Sequence, residues 1–228
     1  MKIGIMIAIK SELEAFLKYA RESDTPLREE KVGNRPVWFL DVAGHTLLAM
    51  LSGYGEIDAA AATQLLITWG GCEVVLNFGV AGALDPDLQV KDLFVVRRIC
   101  HYDYDVSPID PVRKHQYEEF PDEFIPLDEG LIALARQVMP ELKETSVASG
   151  DRFVEDREDK RKLAALGCQL CDMESAAIAR ICAVNGVRCL SIKCISDTFD
   201  GNGGDFWTNV KHSAELAFRV LLNLIKEL

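Results

Sequence analysis

Two acidic side chains flank a helix–strand unit in the C-terminal third of the sequence. Glu174 falls in the first turn of a helix that Asp172 can cap and that Asn185-Gly186 ends. Residues 187–195 then form an apolar run of strand length, and Asp197 stands where such a strand ends. Ligands of open α/β sheets bind at this end of the strands, so both carboxylates can serve acid–base chemistry there. A helix-dipole role for Glu174 and a turn role for Asp197 are the simpler alternatives.

A third carboxylate, Glu12, occupies a similar position near the N-terminus. Residues 2–8 form an apolar strand, and residues 11–14 match an S-x-x-E capping box at the start of a helix. Glu12 is therefore predicted just beyond the carboxyl end of a strand. Interaction with the helix dipole is again the simpler explanation of this position.

A glycine-rich segment, Gly79-Val80-Ala81-Gly82, follows a buried strand predicted at residues 74–78. We predict a tight turn here that lets the backbone approach a ligand. The segment lacks the spacing of the dinucleotide fingerprint and the Lys-Ser/Thr pair of a P-loop. We therefore expect no cofactor.

The overall charge restricts the possible partners. The chain has 36 acidic and 25 basic side chains, which gives a formal charge of −11. Nucleic-acid and anionic-membrane binding both need clustered basic residues. No segment reaches the ~20 apolar residues that a bilayer span requires. We expect a small-molecule ligand, with no nucleic acid and no membrane as partner.

The seven cysteines mostly lie within apolar runs. Cys168 and Cys171 form a single C-x-x-C motif, without the second pair or the spaced histidines that a zinc site needs. We therefore predict no metal site. Reduced thiols are typical of the cytoplasm, and we expect a cytoplasmic protein.

Predicted strands and helices alternate along the sequence. This order predicts an α/β fold with a mixed, mainly parallel twisted sheet flanked by helices, in a single domain spanning residues 1–228. Residues 107–128 hold four prolines and predict a long loop, a feature that often covers a site. The other predicted elements are a hairpin around residues 43–45, a strand within residues 88–99 and another at 145–149, helices at 58–69, 127–139 and 155–166, and a final helix after the loop at 200–205.

With these elements placed, the chain resembles the nucleoside phosphorylase/nucleosidase superfamily, and within it the 5′-methylthioadenosine/S-adenosylhomocysteine nucleosidases. The resemblance covers nearly the whole chain and implies a nucleoside phosphorylase-like fold, usually a homodimer, with a purine nucleoside at the strand ends. It is carried by six stretches in the family's order: Lys2-Ile3-Gly4-Ile5 with Ala8 and Glu12, Ser52-Gly53-Tyr54-Gly55, Asn77-Phe78-Gly79-Val80-Ala81-Gly82, Ser149-Gly150-Asp151 with Phe153, Asp172-Met173-Glu174, and Ile195-Ser196-Asp197.

The resemblance implies a role for each carboxylate. Asp197 matches the general acid that bonds the purine N7 and 6-amino group, and Glu12 matches the residue that activates water. Glu174 matches the residue that holds the ribose hydroxyls. The other expected substrate-binding residues are Met173 at the ribose, the backbone near Phe153 and Val154 at the base, Ile9, Phe206 and Trp207 around the 5′-substituent, and Gly79, Val80, Lys193 and Ser196 elsewhere in the site.

These residue types suit cleavage of an N-glycosidic bond, which builds positive charge on the sugar and negative charge on the purine. Asp197 must stay protonated, and burial would raise its pKa accordingly. Glu12 must stay ionised, and Glu174 would lie near the forming cation. The chain departs from the family at Val80, where a serine is usual, and at Lys193, where an arginine is usual.

Three alternatives to this hydrolase remain open. A phosphorylase of the same superfamily needs an arginine-lined anion site, whereas Glu12 would repel phosphate. Another nucleosidase, acting on aminofutalosine or on plain purine nucleosides, would share the same carboxylates. A nucleoside-binding protein without activity is compatible with the fold but does not explain three acidic residues.

Overall fold

Ten strands and six helices alternate along residues 1–111 and 113–228, the part of the chain that this computed structural model describes. The strands are β1 (Lys2–Ile7), β2 (Arg28–Val32), β3 (Arg35–Val42), β4 (His45–Leu51), β5 (Val74–Ala83), β6 (Leu93–His101), β7 (Phe124–Pro126), β8 (Lys143–Ser149), β9 (Leu170–Asp172) and β10 (Arg188–Asp197). The helices are α1 (Lys10–Glu22), α2 (Glu56–Thr68), α3 (Glu129–Val138), α4 (Arg157–Ala164), α5 (Ser175–Asn185) and α6 (Gly203–Ile225).

All ten strands join one mixed sheet, which confirms the predicted α/β fold. The central strand is β5, which runs parallel to β1 on one side and to β10 on the other. β10 pairs with β6, β6 with β8, β8 with β9, and β9 returns to the end of β5, so that five strands close a small barrel. β4, β3 and β2 extend the sheet beyond β1. The barrel closure was not predicted, because strand order is not encoded in local periodicity.

The parallel pairing sets where functional side chains can meet. β1, β5 and β10 run in the same direction, so their carboxyl ends open at the same edge of the sheet. α1 begins directly after β1, and α5 begins after β9, at that edge. The last residue of β10 is Asp197 itself.

The core that holds these ends in place is formed by apolar strands and by α6. Every residue of β5 is buried, and α6 presents a buried apolar face over 23 residues. Phe218 of α6 lies 4.9 Å from Phe78 of β5 and 5.9 Å from Phe16 of α1, measured between ring centroids. Replacement of such a buried aromatic side chain by alanine typically lowers the free energy of unfolding by about 3–5 kcal/mol. Phe218 therefore helps α6 to hold β5 and α1 in place.

The predicted tight turn at residues 79–82 is wrong, because these residues continue strand β5. β10 pairs with β5 as far as Gly82, and β9 pairs with Gly82 and Ala83. The glycines serve another purpose: a side chain at Gly79 would overlap the Glu12 carboxylate, and a Cβ at Gly82 would lie 2.8 Å from Asp197 Oδ2. The two glycines therefore allow the carboxyl groups of Glu12 and Asp197 to lie directly against β5.

Three further local predictions differ in detail. α1 begins at Lys10 with Ile9 as its N-cap, so Ser11 is not the cap. The predicted loop at 107–128 contains the short strand β7, and Val112 lies outside the described residues. The helices predicted at 58–69, 127–139 and 155–166 are present, with each end within two residues of the expected position.

The seven cysteines are buried and form no disulfide. Within the described residues, histidine, cysteine, aspartate and glutamate side chains form no group of three or more that could hold a metal ion. No helix in the same part of the chain has the length and hydropathy needed to cross a membrane.

Candidate active site

A cavity opens at the carboxyl edge of the sheet, and Glu12, Glu174 and Asp197 all line it. These residues come from α1, the start of α5 and the end of β10, so the fold gathers side chains up to 185 positions apart in the sequence. All three are buried. The rest of the lining is mostly apolar: Ala8, Ile9, Tyr54, Val80, Ala81, Gly82, Phe153, Cys171, Asp172, Met173, Ser196 and Phe206.

Glu12 is held by backbone amides from two elements. Its Oε2 accepts hydrogen bonds from the amides of Ala8 (3.0 Å) and Ile9 (3.2 Å), and its Oε1 accepts one from Val80 (3.0 Å). Burial raises the pKa of Glu12, while the charge of Lys193 and the three amides oppose that rise. Three donors aimed at both oxygens favour the carboxylate form, which is the form that a general base requires.

Asp197 has a different environment. Ser196 Oγ donates to its Oδ1 at 2.8 Å, and no backbone amide among the described residues binds its carboxyl. Burial raises the pKa of Asp197, and the Ser196 hydrogen bond and the charge of Lys160 only partly offset this. The site therefore contains two carboxyls with contrasting surroundings, of which Asp197 is the better placed to carry a proton.

Glu174 is the N-cap residue of α5, and its side chain points away from the helix that it precedes. The amide of Gly55, just before α2, donates to Glu174 Oε1 at 2.9 Å. Burial, together with the neighbouring charge of Asp172, raises the pKa of Glu174 to about 8. A buried carboxyl with an oxygen facing the cavity suits a partner that offers hydroxyl groups.

Lys193 does not line the cavity but pairs with Asp172 behind it. Their Nζ and Oδ2 atoms are 2.7 Å apart, and each side chain is 3% exposed. Burial acts to raise the pKa of Asp172, but the charge of Lys193 and the hydrogen bonds from Lys193, Ser175 and Ser149 together hold that pKa below its ordinary value. This one cation also faces Glu12 and Glu174, so it moderates the repulsion among the buried carboxylates.

The structure brings most of the predicted binding residues to the cavity but not all of them. Ile9, Val80, Phe153, Met173, Ser196 and Phe206 line it beside the three carboxylates. Gly79 and Lys193 lie behind the lining, next to Glu12 and Asp172. Trp207 is largely exposed and lines an adjoining groove, which it shares with Ile9 and Tyr54.

Val154 is absent from the cavity lining, and its side chain lies elsewhere. Its side chain packs into a separate apolar cluster with Leu84, Phe124 and Leu163. The Val154 side chain therefore turns inward directly after Phe153, which lines the cavity, and a contact of the Val154 backbone with the base stays a prediction.

Three residues in or behind the cavity lining were not assigned to the site from the sequence. Glu56 lies in the first turn of α2 and is buried. Its carboxyl accepts hydrogen bonds from Ser149 Oγ, at 2.6 Å, and from the amide of Ala177. Burial raises the pKa of Glu56 to about 8. Lys160, on the helix predicted at residues 155–166, whose sequence is mostly charged, is fully buried. An acid in a first helical turn and a lysine in a charged helix are both common on surfaces, so neither gave a local signal. Tyr54 belongs to a family-like stretch but was not assigned to the site.

Comparison with known proteins agrees with this arrangement. The model of the phosphorylase superfamily matches residues 2–226. An aminodeoxyfutalosine nucleosidase of Helicobacter pylori is 30% identical over 100% of this chain and 99% of its own. A 5′-methylthioadenosine/S-adenosylhomocysteine nucleosidase of Actinobacillus succinogenes is also 30% identical, with both chains fully covered.

Solved structures give the same result. The native futalosine hydrolase of H. pylori superposes with a TM-score of 0.91 at 30% identity, covering 100% of this chain and 98% of that one. A 5′-methylthioadenosine/S-adenosylhomocysteine nucleosidase of H. pylori, complexed with a pyrrolidine inhibitor, has a TM-score of 0.91 at 29% identity and covers 100% and 99%. The resemblance inferred from the motifs is therefore confirmed, and the chain belongs to the phosphorylase superfamily.

Proposed function

We propose that this protein hydrolyses the N-glycosidic bond of a 5′-substituted adenosine and releases adenine. The observation that carries the proposal is the meeting of Glu12, Glu174 and Asp197 around one cavity in three different environments. Relatives that match the whole chain carry nucleosidase names, which supports hydrolysis within a superfamily that also contains phosphorylases.

The proposed reaction divides the chemistry among the three carboxyls. The bond between C1′ and N9 breaks with both electrons going to the purine, and protonated Asp197 gives its proton to N7. Glu12 takes a proton from water as the water oxygen bonds to C1′. Glu174 accepts hydrogen bonds from the ribose hydroxyls. The positive charge that develops on the sugar favours the ionised form of Glu174, which in turn stabilises that charge. Proton return from Glu12 to Asp197 through solvent restores the enzyme.

The same geometry disfavours phosphorolysis. None of the described residues that line the cavity is an arginine or a lysine. Lys193, a buried cation behind the cavity lining, is paired with Asp172. A phosphate ion beside Glu12 would meet a carboxylate held in place by three amides, with no described lysine or arginine in the cavity lining to bind the phosphate directly.

The 5′-substituent is proposed to extend from the cavity into the adjoining groove. Ile9 and Tyr54 line both spaces, and the groove adds Leu51 and Trp207. A thioether chain of the methylthioadenosine or S-adenosylhomocysteine type suits these mainly apolar walls. Aminodeoxyfutalosine is the second candidate, since relatives with that name match this chain as well as the others do.

Two further properties are proposed with the activity. A homodimer would cover the largely exposed side chains of Ile57 and Ile109, which are 82% and 87% exposed. Sedimentation analysis would test this, with a monomer at micromolar concentration contradicting it. A cytoplasmic location would keep the seven unpaired thiols reduced.

The activity is tested with adenosines that carry methylthio, homocysteinyl, carboxyaryl or hydroxyl groups at C5′, each with and without phosphate. We expect adenine release at a rate that phosphate does not change, with free 5′-substituted ribose as the second product. Production of a ribose 1-phosphate would establish the phosphorylase instead. Absence of adenine release from every nucleoside would refute the proposed function, and the ranking of rates would identify the 5′ group.

A further inference from the structure

A fully buried lysine lies directly behind the proposed general acid. Lys160 belongs to α4, and its side chain has no exposure to solvent. Its Nζ donates to the backbone carbonyls of Thr198 (2.8 Å), Phe199 (3.1 Å) and Gly201 (3.5 Å). An ammonium has three donors, and three carbonyl oxygens surround this one. The three carbonyls of one loop therefore form a buried cation-binding site, and the Lys160 ammonium occupies it.

That loop is the segment that immediately follows Asp197. Its three carbonyls turn inward around the ammonium, so Lys160 fixes the direction in which the chain leaves β10. The Nζ atom is also 3.9 Å from Asp197 Oδ2, which is close enough for charge interaction but beyond hydrogen-bonding distance. Because the loop carbonyls engage the ammonium donors, Oδ2 is left without a hydrogen bond from Lys160.

Other contacts tie the α4 region to the same loop, but at the surface. Arg157 pairs with Asp200 at 2.9 Å, and both side chains are 61% exposed. The amide of Gly203 donates to Glu155 at 3.2 Å. Exposed contacts of this kind contribute little. Lys160 is the buried connection, and the three loop carbonyls and the nearby Asp197 compensate its buried charge.

We propose that Lys160 is a positioning residue for Asp197: it holds the loop at 198–201 and places a fixed positive charge behind the carboxyl that delivers the proton. The inference rests on the proposed function for the role of Asp197. Lys160 acts through Asp197 and the loop, and it does not line the cavity.

A fixed cation has a second consequence for the acid. Besides Lys160 of α4, the charged or titratable groups that face Asp197 are Asp205 of α6, Glu155 before α4 and Cys171 of β9. Lys160 is the cation among them, and it lowers the pKa of Asp197 against the effect of burial. It thereby keeps the acid strong enough to release its proton to the purine while burial keeps it protonated.

The test compares Lys160→Met with Lys162→Met, a matched change on the same helix at an exposed lysine. We expect Lys160→Met to lower kcat for adenine release by about 10- to 100-fold, with a smaller change in KM. Activity falls as Asp197 loses its proton, so loss of the nearby cation should move the alkaline limb of the pH profile upward by about 1 unit. Methylammonium ions should restore part of the rate in Lys160→Ala. Lys162→Met should match the unmodified protein.

A measurement without substrate separates this inference from the proposed function. The pKa of the Asp197 carboxyl, followed by carbon-13 NMR, should rise in Lys160→Met, and the amides of residues 198–202 should exchange with solvent faster. An unchanged Asp197 pKa together with an unchanged kcat would overturn the proposal. So would a loss of activity with an unmoved pH profile, since that marks a purely structural lysine. If Lys160→Met does not fold, Lys160→Arg and Lys160→Gln are compared; equal pH profiles in these two variants would also overturn it.

Discussion

Glu12 of α1 accepts a hydrogen bond from the backbone amide of Val80 in β5, with 3.0 Å between the nitrogen and Oε1. This contact joins residues 68 positions apart and fixes the carboxylate against the central strand. It depends on the residue before Val80 being a glycine, because a side chain at Gly79 would occupy the place of the Glu12 carboxylate.

The first prediction concerns this close approach. Gly79→Ala should displace the Glu12 carboxylate and lower kcat for adenine release by about 100-fold or more, since a shift of about 1 Å in a catalytic group is costly. Gly203→Ala is the matched control, because a Cβ at that position meets no atom within 4 Å. Steady-state kinetics measures both. Wild-type rates in a folded Gly79→Ala protein would show that Glu12 does not need its present position.

The second prediction concerns the two reacting carboxyls. Glu12→Gln removes the base and Asp197→Asn removes the acid, and each should reduce kcat by about 10²–10⁴-fold. Glu14→Gln and Asp200→Asn are the controls, because these neighbours are exposed and pair only with surface arginines. Circular dichroism verifies folding. A folded Asp197→Asn variant with the parent rate would exclude Asp197 as the proton donor.

The third prediction concerns the buried ion pair. Asp172→Asn leaves Lys193 without its partner at 2.7 Å, and we expect a loss of about 3–5 kcal/mol in the free energy of unfolding. The double variant Asp172→Asn with Lys193→Met should regain part of that loss, because the buried ammonium that lost its partner is then removed as well. Urea denaturation measures each variant. Lys18→Met is the control, since its exposed pair with Glu215 should contribute at most about 1 kcal/mol.

If the double variant proved as unstable as Asp172→Asn alone, the cost in Asp172→Asn would not come from an unpaired lysine. That outcome would contradict the attribution of the lost stability to the Asp172–Lys193 pair.

The fourth prediction concerns the pH dependence of stability. Burial raises the pKa of Glu56 from 4.5 to about 8. Between these values the folded state binds a proton that the unfolded state has lost, so the contribution of this group to stability is complete below about pH 4.5 and is lost as the pH rises to about 8. Glu56→Gln mimics the protonated form, and it should therefore remove this decline.

Urea denaturation at pH 5, 7 and 9 measures the effect. We expect Glu56→Gln to be close to the parent at pH 5 and more stable by roughly 1–3 kcal/mol at pH 9. Glu158→Gln is the control, because this acid also lies in a first helical turn but its side chain is 75% exposed. A parallel fall of stability with pH in the parent and Glu56→Gln would disprove the assignment.

Local sequence patterns were sufficient to predict much of the site. A strand followed by an acid in a first helical turn placed Glu12 at the edge of the sheet. The apolar run before Asp197 placed it at a strand end. The order of these elements predicted a parallel arrangement, and parallel strands bring such ends together because they share a direction. The family-like stretches then connected the positions to nucleoside chemistry.

Tertiary structure alone decided which charges are buried and what balances them. Lys160 lies in a charged helix and Glu56 in a first helical turn, and residues of these types are commonly exposed at such positions. Both are nevertheless enclosed, because α4 packs on the loop after β10 and α2 packs beside α5. The pairing of Asp172 with Lys193 depends on the barrel closure, which joins β9 and β10 to the same strand. Hydrophobic periodicity depends only on residues that are close together along the chain. The protonation of a buried group is set by charges from distant segments, and these become neighbours only in the folded molecule.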